Sequence, residues 1–318
     1  MKYLIDLNDP ANFIAPITVK APDGYIAEHQ HTVLMPEGPR RHFTMTDSVM
    51  HTTRPEADLH YHEHYMGYEI FFVDSGGMDV YINSQKAYIK PGSVLFLQPY
   101  QAHGMFFHAD TKYRGFFHDM PYYEEGESAM LLREHFPDFA TDPNFPKEIL
   151  PMGDHYLREA PYNFKEVPPE ECKPIRHRER PLAQFDLPGV TMKMLTARWE
   201  NSGLCELWCF EMKQGFRAES YPYPANADLY YVTEGEVKFK VYDEEFVAST
   251  EHLVRIPKYA PRCFEAATDS VMYDVGGLPR WQAYLSDRES VLALAPDRAE
   301  KPETLDGLRK KFGVHYRL

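Results

Sequence analysis

The chain carries no basic stripe: across 318 residues, 34 Lys and Arg stand against 48 Asp and Glu, for a net charge of −14. Binding to a phosphate backbone needs a cationic face, so no nucleic-acid partner is expected. The runs Arg40-Arg41 and RHRER (176–180) are too small to reverse that field and read as solvated surface or ion pairs. Long apolar runs are missing as well. No stretch reaches the roughly 18 apolar residues of a membrane span, and the opening MKYLIDLNDPANF lacks the uninterrupted apolar core of an export signal. Cysteine is scarce. With no export signal, Cys172, Cys205, Cys209 and Cys263 read as reduced thiols, not as a disulfide frame. Cytoplasm is the expected compartment.

Apolar and aromatic residues are plentiful, at 43% and 14%, enough for a packed core. With 26 Pro, 22 Tyr and 20 Phe the chain looks built of many short strands and turns. Strand signals fill residues 23–120, among them YEIFFVDSG, MDVYINSQKAYI, SVLFLQP and GMFFHA, separated by Gly, Pro, Asn and Asp. Residues 121–185 change character, with ten prolines, many acids and one short helix expected over 127–135; they read as a connector lying over the surface. Strand signals return near Gly189, and helices are expected over 288–294 and 303–312, the second opened by Pro302. The expected organisation is an N-terminal barrel over 1–120, a connector over 121–185, and a C-terminal barrel with a helical tail over 186–318.

A hidden repeat supports two barrels of one design. His62, His64, Glu69 and Gly76 stand at spacings of 2, 5 and 7, and Tyr221, Tyr223, Asp228 and Gly235 repeat those spacings 159 positions later (62+159=221, 76+159=235). Pro99 is matched by Pro257, at an offset of 158. The spacing is shared although the side-chain chemistry is not.

In the first half the chemistry is that of metal ligands. Period two on a strand puts His62 and His64 on one face. Glu69 follows across a turn containing Gly67, and His103 comes from a separate strand after Pro99. Three imidazoles and one carboxylate suit a divalent ion, with Fe(II) placed first and Mn(II), Ni(II), Cu(II) or Zn(II) as alternatives. The bland alternative, an exposed polar strand of His60, His62 and His64, leaves Glu69 and His103 as coincidences. Pairing His60 with His62 instead would lose the match to the second half. His60 is therefore assigned to orienting a ligand or titrating beside the site.

His62-x-His64-x4-Glu69-x6-Gly76 resembles the first motif of the cupins, and Pro91-Gly92 through Pro99 to His103 resembles the second. Pro99 stands four residues before His103 where the family more often has five, and the usual glycine between them is missing. The resemblance implies an all-β chain of two cupin (jelly-roll) barrels, a Pro-rich connector and short C-terminal helices. It also implies a ligand set like that of quercetinase-type bicupins. The second barrel, with Tyr221, Tyr223 and Asp228, and Pro261 or Arg262 where the last histidine would lie, reads as vestigial, although Arg262 and Tyr223 are left as a conceivable anion site. Cys205 and Cys209 lack a fourth ligand for zinc and read as buried thiols.

Around the ions' expected place, Phe71 and Val73 share the inward parity of Glu69, and Met105 and Phe107 that of His103; Tyr65, Tyr68, Tyr100 and Phe106 lie nearby as candidates to close the mouth. Phe71, Met105, Phe107 and Tyr100 are the expected substrate pocket. Such a lining favours a small aromatic or phenolic molecule, and the first functional expectation is a metal-dependent dioxygenase in which Glu69 stays a ligand or acts as base. A redox-silent isomerase, lyase or hydrolase on the same ion is the alternative. A third reading is a small-molecule sensor, because HYHEHYMGYEIFFVDSGG also resembles the ligand barrel of AraC-type regulators, though no basic helix-turn-helix accompanies it. Homo-oligomers are expected to cover open sheet edges.

Overall fold

The computed structural model describes residues 3–7, 9, 15–20, 26–35, 43–50, 61–64, 68–108, 111–118, 156–201, 203, 205–220, 224, 226–250, 252–277, 279–299 and 301–318, with backbone alone for 15–50, 117–118 and 156–157. His60, Tyr65, Gly67, Tyr221, Tyr223 and the helix expected over 127–135 lie outside them.

The chain divides into two compact units. The first comprises Phe13–Pro36 and Arg40–His177. One of its sheets orders the strands Tyr156–Leu157, His62–Glu63, His103–Phe107, Met78–Ile82, Gln85–Ile89 and Lys165–Glu166; the other orders Ile175–Arg176, Val94–Leu97, Tyr68–Ser75, Lys112–His118, Phe43–Met50, Ile26–Met35 and Ala15–Lys20. Phe71, Leu95 and Tyr113 from one sheet and Met78, Val80 and Ile89 from the other form a single core. Alternation does this: along Met78–Ile82, Met78, Val80 and Ile82 turn inward together.

The second unit comprises Met1–Asn12, Glu37–Pro39 and Arg178–Leu318. Its sheets order Leu4–Asp6, His252–Ile256, Asp228–Glu234, Ser270–Asp274, Leu207–Met212, Val190–Thr196 and Ala183–Leu187 in one, and Glu244–Ala248, Val237–Val241, Arg262–Ala266, Arg217–Ser220 and Tyr316–Arg317 in the other. The helices Trp281–Leu294, Pro296–Ala299 and Pro302–Phe312 follow. The first begins seven residues before the expected 288, because Trp281, Tyr284 and Leu285 make a buried stripe at helical spacing. The last has Pro302 in its opening turn and ends at Gly313, whose φ of 67° is the left-handed conformation of a helix C-cap. No helix among the described residues is long and apolar enough to cross a membrane.

The unit boundaries differ from those expected. Residues 4–6 pair with 252–254 (Leu4↔Val254, Asp6↔His252), so this stretch belongs to the second barrel, where Leu4 joins the core. The expected connector is not all surface: Val167, Cys172 and Ile175 sit in the first barrel's core, and three short strands between 156 and 176 extend its sheets. Prolines break periodicity there, which hides strands two residues long.

The 159-residue repeat extends well past the motif. His103 pairs with Ile82 and Arg262 with Val241 (103+159=262, 82+159=241). Gly76 and Gly235 both have φ of 72°, and a Cβ on either would come within 3 Å of backbone atoms, at Thr111 in one and Asp269 in the other. Tyr100 (φ 62°) and Tyr259 (φ 64°) mark the same turn, at an offset of 159. That register aligns Pro257 with Gln98. The expected match of Pro99 with Pro257 is therefore one residue out of step.

One buried acid ties the second barrel to its first helix. Asp274 Oδ1 accepts from the Gly277 N–H (3.1 Å) and Oδ2 from Trp281 Nε1 (3.4 Å). Burial, then the nearby charge of Asp228, push its carboxyl up to about 7. A raised acid stabilises the fold fully below its unfolded value, and this contribution is lost as pH rises through the folded value. Asp274→Asn is therefore expected to flatten the fall in melting temperature between about pH 4 and about pH 7; parallel slopes for the two proteins in thermal melts would count against this.

Candidate metal centre

His62 lies on the two-residue strand His62–Glu63, directly across from His103 on the neighbouring strand (Cα partners His103↔His62). His64 follows two residues on, so its ring lies 4.9 Å from that of His62, and the His62 and His103 rings are 4.3 Å apart. Glu69 enters from the opposite sheet as the second residue of Tyr68–Ser75, paired with Leu97. All four are buried, at 7% exposure for His62, 3% for His64 and Glu69, and 0% for His103. One ligand atom from each lies within 4.8 Å of the others. Glu69 Oε1 is 3.4 Å from His64 Nε2, and Oε2 is 3.0 Å from His103 Nε2. Ligand bonds of about 2 Å place donors roughly 3 Å apart around one ion, so the spacing fits. Among the described residues this is the one His, Cys, Asp and Glu cluster of that kind.

The electrostatics agree. Burial opposes a charged Glu69, but attraction to His64 and then His103 outweighs it and holds the carboxyl well below the usual range. Despite their closeness, His103 Nε2 and Glu69 Oε2 make no well-formed hydrogen bond. A buried carboxylate facing imidazole nitrogens is a donor set that a divalent cation completes. His103 Nδ1 lies 2.8 Å from the Gln101 carbonyl and donates to it, which leaves Nε2 as the lone-pair nitrogen aimed at the cluster. Gln101 was not anticipated; a lone buried amide inside a turn gives no periodic signal.

The expected pocket is less open than its parity suggested. Phe71 is buried and packs on Tyr113 (5.8 Å), and Phe107 stacks on the same ring at 4.5 Å and 18°. Met105 packs against that core too. All three belong to the first barrel's core or pack against it. Tyr100 is 68% exposed at its left-handed turn, and its contribution is a backbone N–H donated to the His64 carbonyl (2.6 Å). Tyr68 is buried against Phe96 (5.5 Å), on the face opposite Glu69, and Phe106 lies by His108 (5.6 Å). Neither closes a mouth.

In the second barrel the place of His103 is taken by Arg262 and that of Glu69 by Asp228. The guanidinium is paired internally: Nη2 and Nε reach Asp228 Oδ2 at 2.6 and 2.8 Å, Nη2 also donates to the Asn226 carbonyl (3.0 Å), and Nη1 to that of Ala260 (3.1 Å). The Tyr316 hydroxyl accepts from Nε (3.3 Å) and donates to Asp228 (2.5 Å). Burial disfavours the charged Arg262, yet the Asp228 carboxylate more than offsets this and holds its pKa above the ordinary value. The anion site suggested for Arg262 with Tyr223 finds most of the Arg262 donors committed to Asp228, Asn226 and Ala260, and Tyr223 lies outside the described residues. A protein cation stands where the first barrel offers a place for a metal. The cysteines are free, with Cys172, Cys205 and Cys209 buried, and burial pushes the Cys209 thiol up to about 12, which suits a core residue.

No family model matches the chain, and no curated protein does. Its fold is found in solved structures. The formate complex of oxalate decarboxylase from Lactobacillus farciminis superposes with a TM-score of 0.50 at 12% identity, over 96% of this chain and 95% of that one. Oxalate decarboxylase from Bacillus subtilis, in a structure concerned with its Mn(II) centres, superposes with a TM-score of 0.50 at 11% identity, over 96% and 86%. Identity this low speaks for architecture alone. By that architecture, two jelly-roll barrels with a His-His-Glu-His cluster in the first, the chain has the bicupin fold.

Proposed function

We propose that the first barrel binds one divalent cation through His62, His64, Glu69 and His103 and serves as the active site of an enzyme acting on a small, largely apolar organic molecule. The observation that carries this reading is the convergence of four buried ligand atoms within 4.8 Å. When bound, the ion supplies Lewis acidity and, if redox-active, a partner for dioxygen. The three imidazoles offer neutral nitrogens, and Glu69 offers the negative charge. Glu69 is also placed to take a proton from an acidic O–H of the substrate at Oε2. The apolar core that continues from the ligand-bearing strands, with Phe71 two residues from Glu69 and Met105 two from His103, supports an aromatic or phenolic substrate over a highly charged one.

Within that reading we place dioxygenase chemistry first, with Fe(II) the ion to test first. Metal analysis of the purified protein, followed by oxygen uptake with phenolic substrates, tests it. Uptake that a chelator abolishes is the expected result. Turnover with a bound ion but no oxygen uptake would move the assignment to a redox-silent lyase, isomerase or hydrolase. Protein that takes up no metal and melts identically in chelator would remove the enzyme reading altogether.

A further inference from the structure

We infer that Gln101 is a positioning residue of the metal centre: its side chain locks the turn whose backbone orients His103 and tethers His64. This deepens the metal reading above and rests on it.

The turn runs from Gln98 to Gln101 and touches two ligands through main-chain atoms. The Tyr100 N–H donates to the His64 carbonyl at 2.6 Å, and the Gln101 carbonyl accepts from His103 Nδ1 at 2.8 Å. Its conformation includes Tyr100 at φ 62°, an unfavourable region for a tyrosine. Something must hold it there. The Gln101 side chain, 7% exposed, turns back so that Oε1 accepts from the Gln98 N–H at 3.3 Å.

The second barrel supplies an internal comparison. Its equivalent turn has Tyr259 at φ 64°, and the equivalent carbonyl, that of Ala260, likewise accepts from the side chain two residues on, Arg262 Nη1 at 3.1 Å. Carbonyl-to-side-chain orientation is thus common to both barrels. The lock is not. Where Gln98 presents an N–H, the second barrel has Pro257, which has none; where Gln101 presents an acceptor, it has Ala260. Proline fixes φ by its ring and removes the donor that would need a partner. The first barrel combines that side-chain hydrogen bond with a ring one residue later, at Pro99, where the second barrel has Lys258 and carries its ring at Pro257.

The comparison dictates the test. Gln101→Ala leaves the Gln98 N–H without its acceptor and is expected to weaken Mn(II) binding about tenfold to hundredfold, the range found when a group supporting a ligand is lost. The triple variant Gln98→Pro/Pro99→Lys/Gln101→Ala installs the second barrel's residues at this turn and is expected to restore most of that affinity. A purely structural role would lower the melting temperature of metal-free protein and leave Mn(II) affinity unchanged; affinity unchanged in Gln101→Ala overturns the inference. A triple variant binding as weakly as the single one overturns it too. Nitrogen-15 spectra of the metal-free chain give a readout independent of any ion. Wild type should show His103 as the Nδ1-protonated tautomer and Gln101→Ala a mixture. Should wild type take up no ion, the metal reading fails by itself, and an unchanged His103 tautomer in Gln101→Ala would separately sink this one.

Discussion

Glu69→Gln is expected to cost the first barrel its ion. The substitution keeps shape and removes the only negative charge among the four ligands, at a site nearly closed to water (Glu69 3% exposed). Changing a group that merely supports a ligand costs 10- to 100-fold, so loss of the charged ligand itself should cost at least about a hundredfold. The expected stoichiometry is one ion per wild-type chain and none in the variant, by elemental analysis after dialysis. A second consequence is thermal. An ion bound to the folded chain stabilises it by mass action, so chelator should lower the melting temperature of wild type and leave Glu69→Gln unmoved. Two ions per wild-type chain would contradict the second-barrel geometry, in which Arg262 already neutralises Asp228.

Arg262→Met should damage the second barrel severely. It leaves Asp228 buried at 3% exposure, with the Tyr316 hydroxyl as a remaining donor and its guanidinium partner gone. Breaking one side of a buried ion pair costs roughly 3–5 kcal/mol, because the other charge is left stranded. At a few degrees per kcal/mol for a domain of this size, the melting temperature should fall by about 10 °C. The double variant Asp228→Asn/Arg262→Met removes both charges and should recover much of that loss. Metal content of the first barrel should be untouched in either. A double variant no more stable than the single would mean that the guanidinium acts through its contacts with the Asn226 and Ala260 carbonyls, not through charge.

The sequence revealed the architecture because the repeat is geometric. The imidazoles at 62, 64 and 103 give way to other groups 159 residues later and only the carboxylate at 69 is kept, as Asp228, yet the pairings around them, His103 with Ile82 and Arg262 with Val241, are the same. Motif spacing survives because a one-residue slip in a barrel would turn every side chain to the wrong face. What could not be read were interactions joining distant positions. Tyr316 meets Arg262 across 54 residues of chain and Asp228 across 88, with no local pattern to announce it. Strands of two residues, such as Tyr156–Leu157 and Tyr316–Arg317, are too short to show alternation. The inward parity of Phe71 and Phe107 was legible, but parity cannot tell a pocket wall from a packed core. Tyr113, stacked on Phe107, decides it.

The strand Leu4–Asp6 has a consequence for how the barrels can be separated. It forms the edge of the sheet otherwise made from residues 183–274, so the first barrel is an insertion within the second, not a predecessor to it. Cutting the chain near residue 177 would not release two self-sufficient halves. The fragment from Arg178 onward would expose the backbone donors and acceptors of His252–Ile256, beside buried Leu253 and Val254, as a template for pairing with other chains. A fragment designed for solubility would need the opening residues joined back, by circular permutation or by a short linker ahead of Arg178.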